Sequence, residues 1–333
     1  MKDIINQFCA DIGKDPMMVQ GAGGNVSWKD GNTLMIKASG AWLADAEEKT
    51  IFLPVDLAHL KAGLSQGDYS IAPRIKTNTL ARASIETLFH ALMPHQIVVH
   101  LHAIDILAHL VLANADHVLK QLIGDLASWV IIDYYKPGPE LAMAVHKALL
   151  NKPDTNILFL KNHGIIIGAN HINQIQDTLN VLSHRLTCFT QNIIHVFPKN
   201  VLDQIDEYYF DSDPEVHQLA INPELFSRLD SDWALYPDHV VFLGAKAYTY
   251  ENFEAYHKNK YQQYLSADLI FIRGAGVYTK PSFTKAQSAQ LKAYYHVLIR
   301  IKQNETIARL SNQNICELIN WDAEHYRIAK CIN

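Results

Sequence analysis

A chain of 333 residues, 49% of them hydrophobic and 19% charged, can bury one large core or two smaller ones, since domains hold roughly 50–250 residues. The formal net charge of -5 offers no basic excess that would make nucleic acid or an anionic membrane the main partner. The longest apolar runs, 104–113 and 165–169, fall well short of the roughly 20 residues that span a bilayer.

Up to about residue 197, short apolar runs alternate with helical patterns. A helix is predicted over Ile4–Ile12, then strands at Leu34–Lys37 and Ile51–Leu53. Next come a helix over Ser84–Met93, a strand over Ile97–His102 and a helix over Ile104–Leu112. A strand at Val130–Ile132, a helix over Glu140–Leu150, strands at Ile157–Leu160 and Ile165–Ile167, and a helix over Ile172–Val196 follow. This mixture suits an α/β (or α+β) arrangement, a central sheet covered by helices. Residues 198–232, with Asp203, Asp206, Glu207, Asp211, Asp213 and Glu215, read as an acidic connector with some helix. Residues 233–333 read as a smaller α/β accessory unit: strand Val240–Leu243, helix Glu251–Leu265, strand Leu269–Arg273 and helix Thr284–Gln303. Three segments are thus expected, 1–197, 198–232 and 233–333. The opening residues Met1–Asn6 lack the apolar core of a signal peptide. Cys9, Cys188, Cys316 and Cys331 form no Cys-x-x-Cys pair, and scattered thiols suit a reducing, cytoplasmic setting.

Four places carry chemistry. In Val98-Val99-His100-Leu101-His102 the strand period of two puts both histidines on one face, close enough to close on one metal ion. Two hydrogen-bonded histidines in a half-buried strand fit the same pattern. Strand 157–160 runs into Lys161-Asn162-His163-Gly164, where Gly164 would let the backbone turn sharply and expose His163. A third imidazole there would complete the His₃ set of a catalytic zinc with one open position. Ser84-Ile85-Glu86 opens a helix, with Ser84 able to cap it and His90 one turn beyond Glu86 on the same face. Glu86 reads either as a base beside a metal or as a carboxylate complementing the helix dipole. The glycine-rich Gly21–Ser27 loop and Ala38-Ser39-Gly40 expose backbone N–H groups that can cradle phosphate. Neither makes a dinucleotide fingerprint.

In this order, Gly-Gly-Asn-Val-Ser, Lys-Ala-Ser-Gly, Ser-x-Glu, His-Leu-His, Tyr135-Lys136-Pro137-Gly138 and Asn162-His163-Gly164 resemble the class II aldolase/adducin family over roughly residues 3–197. The stretch Ala-Ser-Ile-Glu-Thr-Leu-Phe-His-Ala-Leu-Met-Pro-His is most similar to the aldolase half of the two-part rhamnulose-1-phosphate aldolase/lactaldehyde dehydrogenases. No Thr-Gly-x-x-x-Gly-x-Gly loop of the dehydrogenase half is present. The resemblance implies a zinc or other divalent ion on His100, His102 and His163, and a retro-aldol cleavage of a ketose phosphate or related hydroxy-keto compound through a metal-stabilised enediolate. It implies Glu86 as the group that moves a proton and Tyr135 as a further candidate for proton delivery or substrate contact. It also implies a substrate phosphate held by Asn25, Ser39, Gly40 and Ser84. Two hydroxyls of the fuculose-phosphate type are missing, with Ala22 and Ile85 in their places. A sugar-phosphate 4-epimerase or decarboxylase on the same metal site is the alternative, as is an adducin-like, non-catalytic interaction protein. The expected partner is a small sugar-phosphate or hydroxy-keto substrate, and the expected assembly a homo-oligomer, tetramer or dimer.

Overall fold

The computed structural model describes residues 2–125, 128–190, 198, 201–259 and 267–331. The chain separates into two compact units: residues 1–188 together with 320–333, and residues 189–319 between them. The last fourteen residues thus join the first unit, whereas the sequence places them in the accessory one.

The first unit begins with α1 (Lys2–Lys14), β1 (Asn25–Asp30), β2 (Thr33–Lys37), β3 (Phe52–Asp56), α2 (Leu57–Ser65), α3 (Thr87–Leu92) and β4 (Ile97–Leu101). It continues through α4 (Ile104–Leu110), α5 (Ala115–Ile123), β5 (Trp129–Ile132), α6 (Pro139–Asn151), β6 (Ile157–Leu160), β7 (Gly164–Ala169) and α7 (Ile172–Arg185). The part of the predicted last helix that covers 191–196 lies outside the described residues. The seven strands form one sheet in the order β3-β2-β1-β4-β7-β6-β5, antiparallel throughout except for the parallel β5–β6 pair. Strand alternation sorts the core into two layers. Ile97, Val99, Leu101, Ile165 and Ile167 pack on one face with α1, α4 and α7. Val98, Leu158, Leu160 and Ile166 pack on the other with Phe89 of α3 and Val145 of α6. His100 follows Val98 onto this second face by the period of two.

The second unit contains β8 (Gln204–Ile205), β9 (Tyr208–Phe210), α8 (Gln218–Ile221), α9 (Pro223–Ser231), α10 (Pro237–Leu243), β10 (Thr249–Tyr250), α11 (Phe253–Asn259), β11 (Leu269–Ile272), β12 (Gly276–Thr279), α12 (Lys285–Leu298) and α13 (Asn312–Ile319). Its sheet runs β10-β11-β12-β9-β8 over a tyrosine-rich core of Tyr208, Tyr250, Tyr256 and Tyr278. Two elements differ from expectation. Residues 204–231 are not a plain connector but supply two strands and two helices. Val240–Leu243, predicted as a strand, is the last turn of α10. Pro237 at the first helical position pre-sets φ for a helix, Asp238 sits in the first turn, and Gly244 at φ 89 stops it. Those flanking signals override the apolar run. The predicted helix over 251–265 is found as α11, and its residues 260–265 lie outside the described residues.

Candidate metal centre

β1 and β4 lie side by side, with Asn25 opposite His100 and Ser27 opposite Val98. Asn25, Ser27 and His100 therefore share the sheet face covered by α3. His102 stands one residue past the end of β4. His163 stands in the tight turn between β6 and β7. That turn is made by Asn162 at φ 53, a left-handed conformation that asparagine tolerates better than most residues. Gly164 has a different task from the one its sequence position suggests. A Cβ there would lie 2.3 Å from the Leu101 carbonyl oxygen, 3.0 Å from the His102 ring and 3.3 Å from the His100 ring. Its missing side chain lets β7 close against the two imidazoles.

The three histidines are buried and converge, their ligand nitrogens lying within 4.8 Å of one another. The Nε2 atoms of His100 and His102 are 3.0 Å apart. Glu86 reaches in between: its Oε2 is 3.4 Å from His100 Nε2 and its Oε1 3.3 Å from His163 Nε2. Donor atoms on a tetrahedron at 2.0–2.1 Å from a zinc ion are separated by about 3.3 Å, so these spacings fit a single divalent ion. The His100 Nδ1–H donates to the Ile165 carbonyl at 3.0 Å, which leaves the Nε2 lone pair aimed inward. Phe89 packs edge-on against the same ring, centroids 5.6 Å apart. Three imidazoles and a carboxylate form a donor set suited to zinc and other divalent transition metals. The sequence-based set of His100, His102 and His163 is the group the structure assembles.

Glu86 is the residue immediately before α3. Its backbone N–H donates to Ser84 Oγ at 3.3 Å, and Thr87 Oγ1 donates to the Ser84 carbonyl at 2.6 Å. Ser84 thus closes the turn that presents Glu86. The Asn25 amide nitrogen donates to Glu86 Oε2 at 2.7 Å and to Ser84 Oγ at 3.2 Å. Burial alone would raise the Glu86 carboxyl, but the imidazoles of His100 and His163, the Asn25 amide and His102 together hold it down at about 2. It is a carboxylate in this setting.

The remaining candidates sit around this core. Ser39 follows β2, its N–H bonded to the Arg82 carbonyl, and the isolated bridge Ala38–Ala83 keeps its loop beside the segment leading to Ser84. Gly40, at φ 82, packs beneath Lys330 and Arg327 of the C-terminal helix Asp322–Cys331. Lys37, not singled out from the sequence, is 2% exposed and donates to the Ala22 and Ala41 carbonyls at 2.9 and 2.6 Å. It ties the two glycine-containing loops together. Ser84 also lines a cavity of about 330 Å³ with Arg82, Ile85 and Pro139. Tyr135 is 39% exposed on the segment between β5 and α6. Among the described residues it makes no hydrogen bond to the histidine–carboxylate group.

The model for the class II aldolase and adducin N-terminal domain matches residues 5–188, more than half of the chain and nearly all of the first unit's long segment. The chain belongs to the class II aldolase and adducin family. It is similar to the "Uncharacterized oxidoreductase YuxG" of Bacillus subtilis (strain 168), 26% identical over 182 residues, 46% of this chain and 24% of that protein. The chain therefore spans about a quarter of the length of that relative. Among solved class II aldolase structures, it is similar to the N-terminal class II aldolase domain of a conserved protein from Thermoplasma acidophilum, at 22% identity and a TM-score of 0.46. That likeness covers 55% of this chain and 90% of that one. An L-fuculose 1-phosphate aldolase shows 17% identity and a TM-score of 0.39, covering 55% and 83%. Among the described residues, no helix of this aldolase-family chain is long and apolar enough to cross a membrane.

Proposed function

We propose that the chain is a zinc-dependent lyase that breaks a carbon–carbon bond in a ketose phosphate or a related hydroxy-keto compound. The observation that carries this reading is the carboxylate of Glu86 lying 3.3–3.4 Å from two of three converging imidazoles. His100, His102 and His163 hold the ion. When bound, it supplies Lewis-acid polarisation of a neighbouring substrate oxygen, a contribution of several kcal/mol to a reaction in which negative charge develops there. Glu86 supplies the proton movement. Its carboxylate is ionised, buried and attached through hydrogen bonds that can be exchanged, so it is able to accept a proton from a substrate hydroxyl and return it. Ser39, Gly40 and Ser84 are assigned to the substrate's anionic end, the glycine through its backbone N–H. Tyr135, exposed on the segment between β5 and α6, is assigned to proton delivery or substrate contact.

The test combines elemental analysis with an assay for dihydroxyacetone phosphate released from a panel of ketose 1-phosphates. One equivalent of zinc per chain and release from at least one ketose is the expected result. Glu86→Gln keeps the shape and a hydrogen bond but cannot take the proton, so it should retain the zinc and lose turnover by about 10²–10⁴-fold. Metal-loaded protein that releases the fragment equally well with Gln at position 86 would remove the carboxylate from the reaction.

A further inference from the structure

A buried polar chain runs behind the metal centre and ends on Glu86. Ser27 Oγ lies 2.7 Å from His90 Nδ1. His90 Nε2 is in close hydrogen-bond contact with Asn25 Oδ1, and the Asn25 amide nitrogen donates to Glu86 Oε2 at 2.7 Å. Ser27 and His90 are fully buried, Asn25 and Glu86 nearly so. Local geometry explains how four residues from two elements meet. Asn25 and Ser27 are two apart on β1 and face α3, and His90 is four residues beyond Glu86 on the same helical side.

An asparagine amide is nearly symmetric in shape, so its orientation is decided by what its neighbours donate and accept. On one side Asn25 meets a carboxylate oxygen and on the other a histidine nitrogen. If the amide were turned over, its carbonyl oxygen would lie against Glu86 Oε2, two acceptors at hydrogen-bond distance. A proton on His90 Nε2 forbids that arrangement by donating to Oδ1. With the Nε2 proton given to Asn25 Oδ1, Nδ1 is left as an acceptor, and the Ser27 hydroxyl 2.7 Å away can donate to it. Burial keeps the ring neutral by pushing its pKa down to about 3, so exactly one ring nitrogen donates. Phe89 stacks on the His90 ring with centroids 4.6 Å apart, which fixes the ring plane as well.

We propose that His90, held by Ser27, is a positioning residue that locks the Asn25 amide with its NH₂ toward Glu86 and thereby fixes the carboxylate between the metal-ligand histidines. The proposal rests on the reading of Glu86 as the proton-carrying group, and it assigns Asn25 to the carboxylate rather than to the substrate. His90 touches neither substrate nor ion; it acts through Asn25.

The test compares the wild-type protein with His90→Phe, His90→Gln and Glu86→Gln, each loaded with zinc for kinetics and with Co²⁺ for absorption spectra. His90→Phe keeps the aromatic packing and loses both ring hydrogen bonds. It should retain one metal per chain, lower kcat by at least about ten-fold through misplacement of the carboxylate, and leave KM nearly unchanged. His90→Gln, whose amide nitrogen can donate to Asn25, should recover part of the loss, which a purely structural role would not produce. The Co²⁺ visible bands report the ligand field without any turnover, and they should shift in His90→Phe. A folded, metal-loaded His90→Phe protein with wild-type kcat and an unchanged Co²⁺ spectrum would overturn the proposal. If that variant does not fold, Asn25→Asp removes the NH₂ at constant volume, and wild-type kcat there overturns it equally. Full turnover in Glu86→Gln would instead sink the reading of Glu86 as the base, and the Co²⁺ spectra then decide the positioning role alone.

Discussion

Gly164 shows how a single residue can be noticed for one reason and required for another. Its place after a strand-end histidine suggests a sharp turn, yet the left-handed residue in that turn is Asn162. What Gly164 provides is space, because a methyl group there would press on the Leu101 carbonyl at 2.3 Å and on both rings of the His-Leu-His strand. The carbonyl belongs to a paired strand and cannot move away cheaply. Gly164→Ala should therefore cost about 1–3 kcal/mol, the usual penalty of overpacking, read as a lower urea midpoint, and should weaken zinc binding in a metal-competition titration. Unchanged stability and affinity would mean that β7 shifts freely, contrary to its central place in the sheet. The period of two places His100 and His102 together, and the family resemblance adds His163 as the third ligand; the structure brings the three together but buries His163, where its strand-end position suggests exposure. The orientation of the Asn25 side chain was not legible in the sequence. It depends on Asn25 standing opposite His100 across a pairing of residues about 75 apart in sequence, and no local pattern reports such a register.

At the level of elements, strands with strongly apolar, β-branched sequences were readable, and β6 coincides with its predicted span. β1 was not foreseen, because Gly21-Ala22-Gly23-Gly24 draws attention to a loop and Asn25-Val26-Ser27-Trp28 is short and mixed. It becomes a strand because β2 and β4 pair with it on both sides. α10 shows the opposite case, where an apolar run is helical because Pro237 and Gly244 set its ends. The start of α12 was readable at Thr284, and the structure shows why. Thr284 Oγ1 accepts from the Gln287 backbone N–H at 3.2 Å, and the Gln287 side chain accepts from the Thr284 N–H at 2.8 Å. This reciprocal cap satisfies two N–H groups that a helix start leaves open. Thr284→Ala should destabilise the second unit by about 1 kcal/mol, measured by chemical denaturation. A change below the resolution of that measurement would show that α12 is held by the packing of Tyr294, Tyr295 and Val297 alone.

At the scale of the whole molecule, the chain leaves its aldolase-family unit near Cys188, builds a second unit of its own, and returns for its last fourteen residues. Nothing in the sequence of 320–333 announces that return, since its amphipathic helix would suit either unit. The contacts within the first unit are specific. The Arg82 guanidinium pairs with Asp322 at 3.0 Å and lies over the Tyr326 ring, Lys136 lies over the Trp321 ring, and Trp321 packs against Gly138. Gly40, buried beneath Lys330, accepts no side chain of its own without displacing that helix. The exposed ion pair adds little, typically under about 1 kcal/mol. Burial of the aromatic rings and of the loop backbone supplies most of what this segment contributes. The segment provides none of the three histidines, so its removal should separate stability from metal binding. A chain ending at Ile319 should melt at a lower temperature than the full chain and yet bind one zinc ion per chain. It should also become susceptible to proteolysis between residues 38 and 42 and between 135 and 139, the loops the segment covers. An unchanged melting temperature and an unchanged cleavage pattern would show that the C-terminal helix rests on the first unit without holding it.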